Sequence, residues 1–206
     1  MYDYDPLYGS WCYSLVEIPN LVKIQNELLN LNKDGYTVTR TNPFYLNVFR
    51  DDVIKECPEV IRYLKSVKLM DIFSRILFSR NDVKLKANQE VPVVHVDGYN
   101  PKVRNHTALN LPLIDCEGTY TGFYSTDKRK LWYNYGTVDN YAWLPLDQVE
   151  EILRVEIVQP VVVNTTILHA AISDRPNRMI ASFRFRRALN ADDMKNMGIE
   201  EPFVQK

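Results

Sequence analysis

Three histidines occur in 206 residues, His95, His106 and His169, and two of them stand where they can hold a metal. His95 and Asp97 form a His-Val-Asp triplet at the end of the strand-like VPVVHV, just ahead of the turn residues Gly98 and Asn100-Pro101. Residues i and i+2 of an extended strand point to one side, so an imidazole and a carboxylate can face one ion. His169, in the apolar run TTILHAAI, follows Asp97 by 72 positions. A histidine returning from that distance completes a two-histidine, one-carboxylate facial triad, the donor set that leaves positions open on non-haem Fe(II) for molecular oxygen and a cosubstrate. Alone, an H-x-D triplet is common by chance, and a single histidine in an apolar run is more often a hydrogen-bonded core residue than a ligand. The ordered combination carries the reading. His106, at the head of HTALNLPL, is expected to play a structural or supporting role rather than to ligate.

Nine positions after His169 comes Arg178, at the start of RMIASFRF. If TILHAAI and RMIASFRF pair as a hairpin through Ser173 to Asn177, Arg178 enters the cavity of His169 from the neighbouring strand. A guanidinium there can clamp a carboxylate through two parallel hydrogen bonds. Ser182 shares the parity of Arg178 and can add a hydroxyl. Asn110 shares parity with Ala108, opposite to Leu109, Leu111 and Leu113, and can point into the same mouth; an ordinary buried amide is the competing reading. Arg175 falls in the SDRPN turn, and Arg184 lies three side-chain steps along the strand face, beyond easy reach of a ligand held at His169.

The elements that must position these residues are mostly strands. From about Ile72 the segments IFSRILFS, EVPVVHV, HTALNLPL, TYTGFY, LWYNY, LRVEIV, VVVNTTILHAAI and RMIASFRF are short, β-branched or aromatic, and separated by turn-rich pieces such as GYNPK and SDRPN. Eight such strands in two antiparallel sheets make a jelly roll. Helices belong to the first third. Leu21, Ile24, Leu28 and Leu31 recur at helical spacing after Asn20, with Asp34-Gly35 as the stop, and a second helix begins near Pro58. Strands are expected at Tyr36–Arg40 and Phe44–Phe49, a helical turn within 146–153, and a short helix over Ala191–Met197. One domain is expected: a helical and mixed part over 1–71, a barrel over 72–187, and a tail over 188–206.

Composition narrows the partners. Lys and Arg total 25 and Asp and Glu 26, a net charge of -1, which gives no general attraction to nucleic acid or an anionic membrane. The basic residues between Arg62 and Lys86 read as a solvated face, so a small molecule or a protein side chain is favoured over nucleic acid as the substrate. The uncharged stretch from Ile157 to Ser173 is broken by Gln159, Pro160, Asn164 and His169, which a bilayer core would not accept. Three scattered cysteines with no C-x-x-C pair, and an opening MYDYDPLYGSW without a signal-peptide pattern, lead to the expectation of a cytoplasmic protein. Neither oligomeric state nor the prime substrate is legible.

The ordered set His95-Val96-Asp97, His169 and Arg178 resembles the signature of the Fe(II)- and 2-oxoglutarate-dependent oxygenase superfamily, over roughly Ile72 to Phe185. The resemblance implies a double-stranded β-helix, with His95, Asp97 and His169 holding iron and Arg178 binding the distal carboxylate of 2-oxoglutarate. Asn110 and Ser182 join Arg178 as candidate cosubstrate contacts. The implied activity is a dioxygenase that hydroxylates its substrate and releases succinate and carbon dioxide. Two alternatives stand beside it: a cupin-type metal-binding jelly roll with other chemistry, and a non-catalytic β-sandwich used for binding. Arg178 separates them, since neither alternative needs a carboxylate clamp beside the metal.

Overall fold

The computed structural model describes residues 2–3, 11–33, 45–80, 93–97, 99–100, 103–104, 107–134, 141–173, 175, 177–200 and 203–204. In chain order the elements are β1 (Tyr2–Asp3), β2 (Trp11–Leu15), α1 (Leu21–Lys33), β3 (Tyr45–Phe49), α2 (Arg50–Glu56), α3 (Pro58–Ser66), β4 (Phe73–Arg80) and β5 (Val93–Asp97). They continue with β6 (Tyr99–Asn100), β7 (Val103–Arg104), β8 (Thr107–Ile114), β9 (Tyr120–Ser125), β10 (Lys130–Asn134) and β11 (Tyr141–Pro145). After a 3-10 turn at Leu146–Gln148 follow β12 (Glu150–Glu156), β13 (Val161–Asn164), β14 (Leu168–Ile172), β15 (Met179–Phe185), α4 (Ala191–Asn196) and β16 (Phe203–Val204).

One seven-stranded sheet has the order β16-β2-β13-β8-β15-β4-β3 and the other β1-β10-β11-β5-β14-β9-β12. Their central strands are β4, β5, β8, β9, β12, β13, β14 and β15; counted one to eight in chain order, they run 6-3-8-1 in one sheet and 2-7-4-5 in the other. That interleaving is a jelly roll, a double-stranded β-helix in which consecutive strands alternate between sheets except for the fourth and fifth, β9 and β12, which pair with each other. The remaining strands extend both sheets: β3, β2 and β16 lengthen the first, and β11, β10 and β1 continue the second beyond β5.

Strand parity sorts the apolar residues. Leu109, Leu111, Ala181 and Phe183 turn outward against the helices, in a cluster that includes Ile24, Leu28 and Leu64. Ala108, Phe123, Val155, Val161, Val163 and Ile180 turn inward and fill the space between the sheets. Buried strands hydrophobic on both faces explain why simple alternation is weak in this sequence. The helix at α1 keeps Ile24, Leu28 and Leu31 buried as its spacing requires. Asn20 begins it by an unexpected route: the residue sits at φ 58°, a left-handed conformation asparagine tolerates, and its carbonyl accepts the Ile24 N–H at 3.2 Å. The Glu27 carboxylate reaches from α1 to accept the N–H groups of Glu59 and Val60 at 3.0–3.1 Å, capping α3. At the other end Asn190 and Asp193 form a reciprocal capping box on α4, and Arg187 pairs with Asp193.

Several expectations are corrected. VVVNTTILHAAI is two strands in opposite sheets, because the Asn164 side chain accepts hydrogen bonds from Thr166 N and Oγ1 at 3.1 and 2.7 Å and closes a local turn after β13. TILHAAI and RMIASFRF do not form a hairpin: β14 pairs with β5 and β9, β15 with β4 and β8, so the chain crosses from one sheet to the other between them. LWYNY, as β10, extends a sheet and is not one of the eight central strands. The helix α2 was not anticipated; a short RDDVIKE carries too little apolar periodicity to declare it. The expected strand at Tyr36–Arg40, the Asp34-Gly35 stop and His106 lie outside the described residues. All three cysteines are free and buried; burial pushes Cys12 up to about 11 and Cys57 to about 12, so neither is a thiolate near neutrality. Among the described residues no helix is long and apolar enough to cross a membrane.

Candidate metal centre between the sheets

His95 and Asp97 sit two residues apart on β5, and His169 is directly opposite His95 on β14. Cross-strand partners share a face, so all three side chains turn toward the inter-sheet space. One nitrogen or oxygen atom from each lies within 4.8 Å of the others. His95 Nε2 is 3.4 Å from Asp97 Oδ1, and His169 Nε2 is 3.7 Å from Asp97 Oδ2. Ligands about 2.1 Å from one ion, at right angles, stand about 3 Å apart. The separations of 3.4 and 3.7 Å are wider than that, so the side chains would draw together by up to about 1 Å on a metal.

The hydrogen bonds behind the donors fix their roles. His169 Nδ1 is 2.9 Å from the Ile167 carbonyl. A carbonyl can only accept, so Nδ1 carries a proton, and Nε2, turned toward Asp97, is the ring nitrogen left to ligate. Asp97 is held from both sides: its N–H donates to the Thr165 carbonyl at 3.1 Å, in the turn that leads into β14, and Arg184 Nη1 donates to Oδ2 at 2.7 Å. Burial works against ionisation of Asp97, but the Arg184 charge and the two imidazoles outweigh it and hold the carboxyl well below its usual range. The carboxylate is therefore ready to ligate without first losing a proton.

The contact of Arg184 with Asp97 was not foreseen in the sequence, which weighed Arg184 only as a competitor for the carboxylate clamp. Counting steps along β15 placed it too far from His169, but Asp97 belongs to the opposite sheet, and the distance that matters is the one across the sandwich. Its parity with Arg178, Ser182 and the inward-facing Ile180 was the available signal.

Arg178 is wholly buried just ahead of β15, and its Nε donates to Thr119 Oγ1 at 3.1 Å, spanning from one sheet to the residue before β9 in the other. Ser182 and Asn110 are paired in register on β15 and β8. Both are buried, and neither Ser182 Oγ nor Asn110 Oδ1 has a hydrogen-bond partner among the described residues. Unpartnered buried polar atoms are costly and rare unless something else satisfies them. These atoms lie on the inner face of the jelly roll between Arg178 and Arg184 in strand order, where a small polar molecule would meet them. A half-turn of the Asn110 amide presents its Nδ2 donor in place of Oδ1.

Solved structures with a similar fold include a prolyl-4-hydroxylase of Pseudomonas putida, with TM-score 0.52 and 14% identity over 87% of this chain and 94% of that one. The chain shares its fold with that enzyme. A non-heme alpha ketoglutarate dependent carbocyclase from nogalamycin biosynthesis is a looser match, with TM-score 0.49 and 12% identity over 88% of this chain and 81% of that one. No family model matches the sequence, and no curated protein matches it. The resemblance read from His95, Asp97, His169 and Arg178 thus has its counterpart in the fold, a double-stranded β-helix with a His-Asp-His triad on its inner face.

Proposed function

We propose that this protein is an Fe(II)- and 2-oxoglutarate-dependent oxygenase. The observation that carries the reading is the triad itself: two histidines and one ionised carboxylate converging inside a jelly roll, with His169 Nε2 turned to Asp97. Two nitrogens and one oxygen on one side of an ion suit non-haem iron, since the opposite side stays free. When bound, iron with 2-oxoglutarate and oxygen supplies the oxidant that puts one oxygen atom into a substrate C–H bond, the other leaving in succinate as carbon dioxide departs.

The chain's own residues would bind and orient. His95, Asp97 and His169 hold the metal, and the Ile167 carbonyl and Arg184 keep His169 and Asp97 in ligating form. Arg178, steadied by Thr119, meets the distal carboxylate of 2-oxoglutarate as a fork, and Ser182 and Asn110 supply the remaining polar contacts. Phe123, Val161 and Ile180 line the interior nearby and exclude water. A bare metal-binding jelly roll or a binding sandwich gives no reason to bury Arg178 with a hydroxyl and an amide along the same face.

Calorimetric titration of 2-oxoglutarate tests the proposal. With Fe(II) or inert Mn(II) present, one equivalent is expected to bind; without metal the affinity should fall sharply, because chelation contributes much of it. Equal binding with and without metal would reject the cosubstrate role.

A further inference from the structure

The row of side chains that contains the two histidines does not end with them. Register pairs Trp132 with Trp143, Trp143 with His95, His95 with His169, and His169 with Phe123, across β10, β11, β5, β14 and β9. Directly paired residues share a face, so five rings form one line on the side of the sheet that bears the metal donors. Ring centroids are 6.4 Å apart for the tryptophans, which lie 29° from parallel, 4.6 Å for the histidines, and 6.5 Å for Phe123 and His169. The line also runs from closed to open. Phe123 is 0% exposed and His169 9%, while Trp132 leaves 52% of its surface in solvent. Both tryptophans stand on strands outside the eight central ones. Core packing accounts for Phe123 but not for a half-exposed stacked indole beside a metal site.

We infer that Trp143, backed by Trp132, is the platform on which the substrate lies, and that the substrate carries an aromatic ring with a short aliphatic substituent. The inference rests on the proposed oxygenase reading of the adjoining triad. Neighbouring strands are about 4.8 Å apart, so Trp143 is one strand and Trp132 two strands from His95. A flat ring over Trp143 reaches toward the metal with its edge, and a carbon one or two bonds beyond the ring meets the open side of the ion. Aromatic rings favour the offset, near-parallel geometry already present in the Trp132–Trp143 pair.

The test uses 2-naphthalenemethanol as the probe and its ring-saturated counterpart, decahydronaphthalene-2-methanol, as the comparison, with the full chain loaded with Mn(II) and 2-oxoglutarate. Paramagnetic relaxation of the probe's protons reads proximity to the metal, and saturation transfer from the protein reads binding without needing one. Naphthyl protons are expected to relax faster in the Mn(II) protein, and both signals should weaken about threefold to tenfold in Trp143→Ala, the factor a stacked pair is worth. Trp143→Phe should retain most of the effect, Trp132→Ala part of it, and Trp11→Phe, on the other sheet, all of it. Unchanged signals in Trp143→Ala, or equal signals from the saturated probe, would overturn the inference. Failure of Mn(II) to bind would instead strike the metal reading, and saturation transfer would still decide the platform.

Discussion

Replacing Asp97 removes a metal donor and also strands a guanidinium. Arg184 Nη1 and Asp97 Oδ2 are 2.7 Å apart, and most of both side chains is withdrawn from water. Exposed ion pairs are worth roughly 0.2–1 kcal/mol, whereas removing one partner of a buried pair costs roughly 3–5 kcal/mol. Partial burial places this pair between those limits, with a coupling of about 1–3 kcal/mol. The assay is a double-mutant cycle on metal-free protein, comparing urea unfolding of the wild type, Asp97→Ala, Arg184→Met and the double variant. Asp97→Ala should be the least stable, because it leaves Arg184 charged and unpaired. Adding Arg184→Met should recover stability, since a methionine occupies the apolar stem's space without the charge. In a chain of this size each kcal/mol moves Tm by about 2–4 °C, so thermal scans should show the recovery as well. A coupling below about 0.5 kcal/mol, or a double variant no more stable than Asp97→Ala, would refute the ion-pair argument.

Other outcomes follow from the same geometry. Arg178→Ala should raise the 2-oxoglutarate concentration needed by at least about tenfold while leaving Mn(II) affinity nearly unchanged, and Arg178→Lys should not restore it, because a lysine loses the fork; parallel titrations of both ligands read this. Ser182→Ala and Asn110→Ala should each weaken 2-oxoglutarate binding by about twofold to tenfold, as expected for one hydrogen bond, whereas an unchanged affinity would remove that residue from the site. Glu27→Ala removes the tertiary cap on α3 and should cost about 1 kcal/mol in urea unfolding without affecting metal binding. Burial opposes ionisation of Asp193, but hydrogen bonds from Arg187 and Asn190 prevail and lower its pKa. Its contribution is therefore present above the unfolded Asp value of about 3.9 and lost as pH falls through the lower folded value. The Tm gap between wild type and Asp193→Asn should close in that acid window, and a gap independent of pH would count against the pairing.

Much of the site was legible because the chemistry is local in strand terms. His95 and Asp97 share a face by simple alternation, and the scarcity of histidine singled out His169. The parity that grouped Arg178 with Ser182, and that set Asn110 apart from Leu109 and Leu111, is the parity seen in the sandwich. What escaped the sequence was contact between sheets. Nothing in RMIASFRF states that its third inward step reaches a carboxylate on a strand 87 positions earlier. The break after Asn164 was hidden in an apolar run because it depends on one asparagine side chain closing its own turn, and Asn164 entered the sequence reading only as one of the residues that exclude a bilayer span. The Glu27 cap and the row from Trp132 to Phe123 likewise exist only once α1 meets α3 and five strands fall into register.

The central claim is that the triad makes this fold an oxygenase, and succinate formation tests it most directly. Purified protein supplied with Fe(II), oxygen and 2-oxoglutarate should release succinate and carbon dioxide in equal amounts even without its prime substrate, slowly but above background. His169→Ala should fall to the level of free iron, and omission of Fe(II) should do the same. Succinate release that is equal in wild type and His169→Ala, or absent from wild-type protein shown to hold both iron and 2-oxoglutarate, would contradict the account.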